Sequence, residues 1–340
     1  MEINYLKITV VITTYNLERY IDNCFDDLIN QTMQDFDVLI VDDNSSDGTR
    51  DKIEKWKLRF GNRLKTVYLE SNKGMPALTR DVALDSGLID GEFVIFFDGD
   101  DRIDKYMLEK MVSVAIQENS DVVICGYDRV DEKTGTCISK EMLGFPRHIT
   151  FSDEAYIIPY INTSPWNKLW KYSIVRDLRF PDFKVGEEVS FNFRAYKKCS
   201  KICFVGEVLI HYIVRDSSVI SNTDEETIWR FAADLERLRK EADYVSKYIV
   251  EVLIFFHIGL SMALRAADNK DIDLRKFLEK VHMFFSEIGF FKDNPYMKFK
   301  ALKKNGMKGF MIYIALLSYK WHLFGMVLRC YRLLGKNIKF

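Results

Sequence analysis

Residues 93–101 read Phe-Val-Ile-Phe-Phe-Asp-Gly-Asp-Asp. Five large apolar residues without polar alternation suit a strand that is buried on both faces. The run ends in a turn that carries three carboxylates, Asp98, Asp100 and Asp101. Like charges this close repel one another and are costly to hold together. A hard divalent cation would relieve that repulsion, and Mg²⁺ is usually held by one or two carboxylates plus substrate phosphates. The plainer alternative is an acidic turn capping the helix that starts near Asp104.

Working outward, the first half of the chain repeats the same alternation. Strands are expected at Ile8–Thr14, Val38–Val41, Lys65–Leu69, Phe93–Phe97 and Asp121–Tyr127. Helical spacing separates them over Leu17–Gln31, around Ile53, Trp56 and Phe60, over Pro76–Ser86 and over Asp104–Gln117. Repeated βα units predict an α/β fold with a mostly parallel sheet and helices on both faces. Ligands of such sheets bind at the carboxyl ends of the strands. Residues 128–165 read as a loop-rich connection, Glu187–Cys199 as a helix, and Ile202–Val205 and Val208–Val214 as strands. From about Glu225 the pattern is helical. The expected organisation is therefore an α/β domain over 1–222 and a smaller, all-helical region over 223–340.

Three further strand ends carry chemistry. After the first strand come Thr13, Thr14, Tyr15 and Asn16, where small hydroxyl residues admit a base and Tyr15 can stack on it. After the second comes Asp42-Asp43-Asn44-Ser45-Ser46-Asp47-Gly48-Thr49. A carboxylate there can accept from a nucleobase imide or a ribose hydroxyl, while its neighbours cap the next helix. After the third comes Asn72-Lys73-Gly74 with Arg80 behind it. Gly74 allows close approach of a ligand, and Arg80 can meet a phosphate or an acidic loop.

These four motifs, in this order, resemble the signature of the family 2 inverting glycosyltransferases of the GT-A fold, over about residues 5–222. The resemblance implies a transferase that moves a sugar from a nucleotide-diphosphate donor, with uridine the favoured base, onto a glycan or polyprenyl-linked acceptor in cell-surface polysaccharide synthesis. It implies Mn²⁺ or Mg²⁺ as cofactor, held by Asp100, with Asp98 on the donor ribose or a metal-bound water and Asp101 completing the motif. Asp43 would contact the base, with Thr13 beside it, and Asp42, Tyr15, Gly74 and Arg80 would line the donor site. Trp166, Asn167 and Lys168 resemble an acceptor-side segment. Glu187 and Glu188 stand where the family places its catalytic base; Glu188 replaces the usual Asp, so either remains a candidate. His211, in the stretch that runs on to Arg215 and Ser218, is either a further metal ligand or a core histidine. The rival readings are a nucleotidyl- or phosphotransferase, which would want a Gly-rich phosphate loop where this chain has Thr13–Asn16, and a silent glycan- or membrane-binding scaffold.

Bulk properties set the remaining bounds. With 48% hydrophobic and 29% charged residues among 340, the chain can bury a core and is not disordered. Net charge is −1, yet residues 294–340 hold ten Lys or Arg and no Asp or Glu, so the rest is acidic. An acidic body with a basic, aromatic tail suggests an anionic membrane surface as the tail's partner, with no nucleic acid expected; the plainer alternative is a packed helical domain with a solvated basic face. Gly309–Leu328 is about long enough to span a bilayer if Lys320 and His322 are tolerated. Six cysteines show no paired framework, and Cys199 and Cys203 lack a partner pair for a metal. No basic-then-apolar leader is visible at the N-terminus. The expected setting is the cytoplasm, peripheral on the inner face of the plasma membrane.

Overall fold

The computed structural model describes residues 8–215 and 223–333. Ser218 and the expected boundary at 222 lie outside the described residues, as do Lys336 and Lys339 of the basic tail. The chain divides into two compact units, one formed by 1–154, 161–182 and 187–218, the other by 155–160, 183–186 and 219–340.

The first unit is built on ten strands: β1 (Ile8–Thr14), β2 (Phe36–Asp42), β3 (Leu64–Tyr68), β4 (Phe93–Asp98), β5 (Arg102–Ile103), β6 (Val122–Asp131), β7 (Cys137–Glu141), β8 (His148–Ile149), β9 (Lys168–Lys171) and β10 (Ile202–Val214). The sheet runs β3-β2-β1-β4-β9-β6-β10-β5, with β7 on β6 and β8 on β10. The pairs β3–β2, β2–β1, β1–β4 and β6–β10 are parallel. Strand β9 runs antiparallel between β4 and β6, which makes the sheet mixed. That strand has only four residues and two large apolar ones, Leu169 and Trp170, too little to stand out in the sequence. The stretch 128–165 is likewise more ordered than its loop-like composition implies, since it holds the end of β6, β7 and β8. The two strands expected at 202–214 are one, with register shifts between Val205 and Ile210.

Strands β1, β2 and β4 are buried almost throughout, as their β-branched and apolar residues favour. Each fully buried Val, Leu, Ile or Phe side chain contributes roughly 1.5–3 kcal/mol. Four helices cover the parallel half: α1 (Ile21–Ile29), α2 (Thr49–Phe60), α3 (Pro76–Asp85) and α4 (Met107–Glu118). Helix α5 (Glu187–Lys198) follows β9 and opens on two glutamates. The register aligns the strand ends: Thr13 pairs with Val41 on one side and with Asp98 on the other.

The second unit is helical. It contains α6 (Glu225–Glu241), α7 (Tyr244–Ile254, continued through a π-helical stretch Phe255–Met262 to Asp268), α8 (Leu274–Glu287), α9 (Gly306–Lys320) and α10 (Phe324–Leu333). The 244–268 helix is long and apolar enough to cross a membrane, but 72% of its most apolar window is buried inside the protein, as in a core helix. The tail does not form a span over 309–328. Helix α9 has 15 residues, about 22 Å, and the chain turns at His322, where φ is +58°. A bilayer core is about 30 Å thick.

Candidate active site

The acidic turn sits at the end of β4. Gly99 is closely packed there, since a Cβ would lie 3.2 Å from both Ile12 Cγ2 and Leu17 Cδ1 and would push those side chains aside. Each of the three carboxylates is balanced differently. Asp98 accepts from Arg80 Nη2 at 2.7 Å. Asp100 pairs with the Arg215 guanidinium, which also donates to the Asp100 carbonyl. Asp101 is buried and accepts from the Ile213 N–H at 2.9 Å. Burial, and then the neighbouring carboxylates of Asp100 and Asp98, hold Asp101 well above the usual carboxylate range. Burial and the Asp98 charge raise Asp100 as well, against the pull of Arg215.

Arg80 connects this turn to the start of α5. Its side chain is only 3% exposed, and its Nη1 donates to Glu188 Oε1 at 3.1 Å. The guanidinium lies over the ring of Phe180, 5.8 Å from its centre, and Phe180 stacks on Phe191 at 3.9 Å. So of the two partners expected for it, a phosphate or an acidic loop, the arginine meets the acidic loop; lying over the Phe180 ring, it holds two carboxylates together. Glu187 and Glu188 occupy the first turn of α5, where the helix dipole favours negative charge by about 0.3–1 kcal/mol. Glu188 is nevertheless pushed up to about 8. Burial is the largest cause, opposed by Arg80 and Lys168 and reinforced by the Glu187 and Asp98 charges. A quarter of the side chain, 24%, still reaches solvent, which moderates the burial effect, but the two like charges act in the same upward direction.

The loops after β1, β2 and β3 interlock. Asn16 and Asn44 both take positive φ, 53° and 62°, conformations that asparagine tolerates better than most residues. Ser45 Oγ accepts from the Asn16 N–H, and Asn16 Oδ1 accepts from the Ser46 N–H, each at 2.9 Å. Asp43 Oδ1 accepts from the Lys73 N–H at 2.7 Å, and Asn72 donates to the Asp43 carbonyl. Gly74 follows with φ +76°. Tyr15 is 51% exposed beside this group, and Thr13 is half-buried. Thr13, Tyr15, Asp43, Gly74, Asp98 and Asp100 thus gather at one end of the sheet.

Asp42 does not join them. It is fully buried and accepts from Thr14 Oγ1, the Ser45 N–H and hydroxyl, and the Arg50 guanidinium. Its charge is used internally, so the donor-lining role expected for it is corrected to a structural one. The acceptor-side segment is corrected in the same way. Trp166 is buried edge-on to Tyr127 and stacked on Tyr212. Asn167 donates to the Cys125 carbonyl at 2.8 Å. Lys168 is fully buried, and its Nζ reaches Asn162 O and Oδ1, Ser164 O and Asn167 Oδ1 between 2.5 and 3.0 Å. Burial lowers it to about 7. These three side chains brace β9 rather than face a ligand.

The expected four-residue metal set is not assembled either. Among the described residues no three His, Cys, Asp or Glu side chains cluster as metal ligands. His211 Nδ1 is 2.8 Å from Asp128 Oδ1, and Asp101 turns inward to the Ile213 N–H, because β5 and β10 pair here through Ile103–Ile210 and Arg102–His211. What remains is Asp98 and Asp100, each about a third exposed and mutually repelling. Two carboxylates completed by diphosphate oxygens suit Mg²⁺ or Mn²⁺, so these residues fit the cation without His211 or Asp101. Cys199 and Cys203 are both buried.

Arg50 and Asp128 were not singled out from the sequence, whereas Arg215, just after β10, belongs to the basic segment named with His211. Arg50 lies eight residues after Asp42, a spacing without any local rule.

Residues 9–173 match the family described as Glycosyl transferase family 2. The chain is 30% identical over 261 residues to EpsH of Bacillus subtilis (strain 168), named as a glycosyltransferase, covering 69% of this chain and 73% of EpsH. The chain belongs to glycosyl transferase family 2. It is a glycosyltransferase, and the nucleotidyltransferase and silent-scaffold readings are set aside. The poly(ribitol-phosphate) beta-N-acetylglucosaminyltransferase TarS of Staphylococcus aureus (strain Mu50 / ATCC 700699) is 28% identical over 269 residues. This match spans 72% of the present chain but only 44% of TarS. The fold is that of the TarS 1-349 fragment solved in complex with UDP, with TM-score 0.69, 23% identity and coverage of 98% of this glycosyltransferase and 93% of the fragment. A mannosyltransferase from Pyrobaculum calidifontis, solved in complex with GDP-Man and Mn²⁺, shares the fold more distantly, at TM-score 0.54 and 14% identity over 93% of this chain and 87% of its own.

Proposed function

We propose that this glycosyltransferase inverts the anomeric centre of a UDP-sugar and transfers the sugar to a hydroxyl of a cell-surface glycan, polyol-phosphate polymer or lipid-linked acceptor. The observation that carries the reading is the Arg80 bridge, which joins the Glu188 carboxylate to Asp98 at the acidic turn. It ties a proton acceptor to the donor-side carboxylates. Thr13, Tyr15 and Asp43 receive the uracil and ribose at the ends of β1 and β2, with Gly74 leaving room. Glu188 takes the proton of the acceptor hydroxyl, and the oxygen attacks the anomeric carbon opposite the diphosphate. A side chain held near 8 is a suitable base, since general-base catalysis is most effective when the pKa lies near the working pH, and such a group typically contributes about 10²–10⁴-fold. Asp98 and Asp100 would hold Mg²⁺ or Mn²⁺, which when bound offsets charge on the leaving diphosphate. The "beta" in the names of TarS and of a poly(ribitol-phosphate) beta-glucosyltransferase of Bacillus spizizenii fits inversion of alpha-linked donors.

A panel of UDP- and GDP-sugars, each with polyol-phosphate and lipid-linked acceptors, tests the proposal through nucleoside diphosphate release. Uridine diphosphate release with at least one donor is expected. Glu188→Gln should bind that donor with unchanged Kd and lose about 10²-fold or more in turnover. A fully active Glu188→Gln enzyme would remove Glu188 from the role of base.

A further inference from the structure

Helix α9 is apolar on both of its sides. Ile312, Leu316 and Tyr319 are buried in the helical unit. On the opposite side Met307, Phe310 and Ile314 follow helical spacing and are 73%, 46% and 42% exposed, and Trp321 extends the row at 61%. Leu323 and Met326, beyond the turn, are also exposed. A helix that is hydrophobic all round is normally buried, so this outward row calls for an apolar environment of its own. The surrounding charge identifies it. Lys303, Lys304 and Lys308 at one end and Lys320 at the other are all exposed, and 294–340 contains no acidic residue.

We infer that the outward face of α9, continued by Trp321, Leu323 and Met326, lies in the interface of an anionic lipid bilayer, with the four lysines at the phosphate level. Large apolar side chains rimmed by lysines, with a tryptophan at the edge, are the composition of an interfacial helix. A second copy is the poorer occupant. A two-fold contact would bring the same lysines against each other with no carboxylate of the segment between them. The inference goes beyond the proposed transfer reaction and does not depend on it, because its readout is partitioning rather than activity.

The test is sedimentation of the full chain with phosphatidylcholine vesicles, with and without about a third phosphatidylglycerol. Partitioning should rise at least about tenfold with the anionic lipid and fall with added salt. Lys303→Glu/Lys304→Glu/Lys308→Glu leaves the apolar row and the fold intact and should weaken binding by about a hundredfold or more, since each lysine near the surface contributes a substantial part of a tenfold step. Ile314→Ser/Trp321→Ser should abolish it while the circular dichroism stays unchanged. Equal binding of the charge-reversed variant, or no binding by the native chain, overturns the inference. So does concentration-dependent self-association lost in Ile314→Ser/Trp321→Ser without vesicle binding, which would make a second copy the occupant.

Discussion

Replacing Arg80 with methionine separates its two effects. The guanidinium is nearly solvent-free and touches two carboxylates. Unit charges about 4 Å apart interact by about 4 kcal/mol at an effective dielectric constant near 20. Glu188 and Asp98 are 24% and 29% exposed, so water recovers part of this, leaving about 1.5–3 kcal/mol. At 1.36 kcal/mol per pKa unit, losing Arg80 should raise Glu188 by a further one to two units, from about 8. The sign is fixed: a base must be deprotonated, so the rising limb of kcat against pH moves up by that amount. At pH 7.5 the variant should be roughly eight- to seventyfold slower, and most of the deficit should vanish by pH 9.5–10. The same change should cost about 2–4 kcal/mol of stability, because two carboxylates lose a buried partner. The assay is uridine diphosphate release from pH 6 to 10, beside urea unfolding. A uniformly slower variant with an unmoved limb would refute electrostatic control of Glu188 by Arg80 and leave the arginine a purely structural strut.

Lys168→Met should lose roughly 2–4 kcal/mol in urea unfolding, because four buried or part-buried oxygens lose their shared donor; a variant of normal stability with a raised acceptor KM would restore the acceptor-side role. Chelation should slow transfer by about two to three orders of magnitude, the size of a metal's charge stabilisation, with recovery on adding Mn²⁺ or Mg²⁺; an enzyme indifferent to chelator would remove Asp98 and Asp100 as ligands. Burial lowers His257 in the helical unit to about 4, so its proton binds the unfolded chain more tightly. Stability from this group is present above pH 6.5 and lost as pH falls towards 4, by about 1–2 kcal/mol between pH 7 and 5. His257→Leu should flatten that loss in urea titrations at the two pH values, and an identical slope would assign the acid sensitivity elsewhere.

The parallel half of the sheet was legible because it is written locally. Ile8–Thr14 is a β-branched run and Phe93–Phe97 an unbroken apolar one, and each leads at once into its polar turn. The antiparallel half was not, because β9 is held by Asn167 and Lys168, polar side chains whose partners are backbone carbonyls and amides that a sequence does not display as partners. The same fact explains the misreading of Trp166–Lys168 as a ligand-facing segment: aromatic, amide and ammonium groups in a row look exposed until their buried acceptors are known. Asp42 and Asp43 show the limit most sharply. The two are chemically identical, buried neighbours, yet Arg50, Ser45 and Thr14 engage the Asp42 carboxylate while Asp43 accepts from the Lys73 N–H of the next loop.

Long-range pairing also decides what the acidic turn is. From the sequence its three carboxylates appear equivalent, an excess charge awaiting a metal. In the fold each is answered separately: Asp98 by Arg80, Asp100 by Arg215, and Asp101 by burial and a backbone N–H. Arg80 reaches Glu188 across 108 residues and Arg215 reaches Asp100 across 115, separations no motif encodes. Two arginines therefore already offset part of the turn's negative charge, although burial and the neighbouring carboxylates still hold Asp100 and Asp101 up. Arg80 is enclosed and fixed, whereas the Arg215 side chain lies at the end of β10 and over the ring of Tyr20. Of the two, Arg215 is the more accessible, at 15% against 3% side-chain exposure, so Asp100 is the carboxylate whose partner can more readily be exchanged, while the Arg80 bridge holds Glu188 and Asp98.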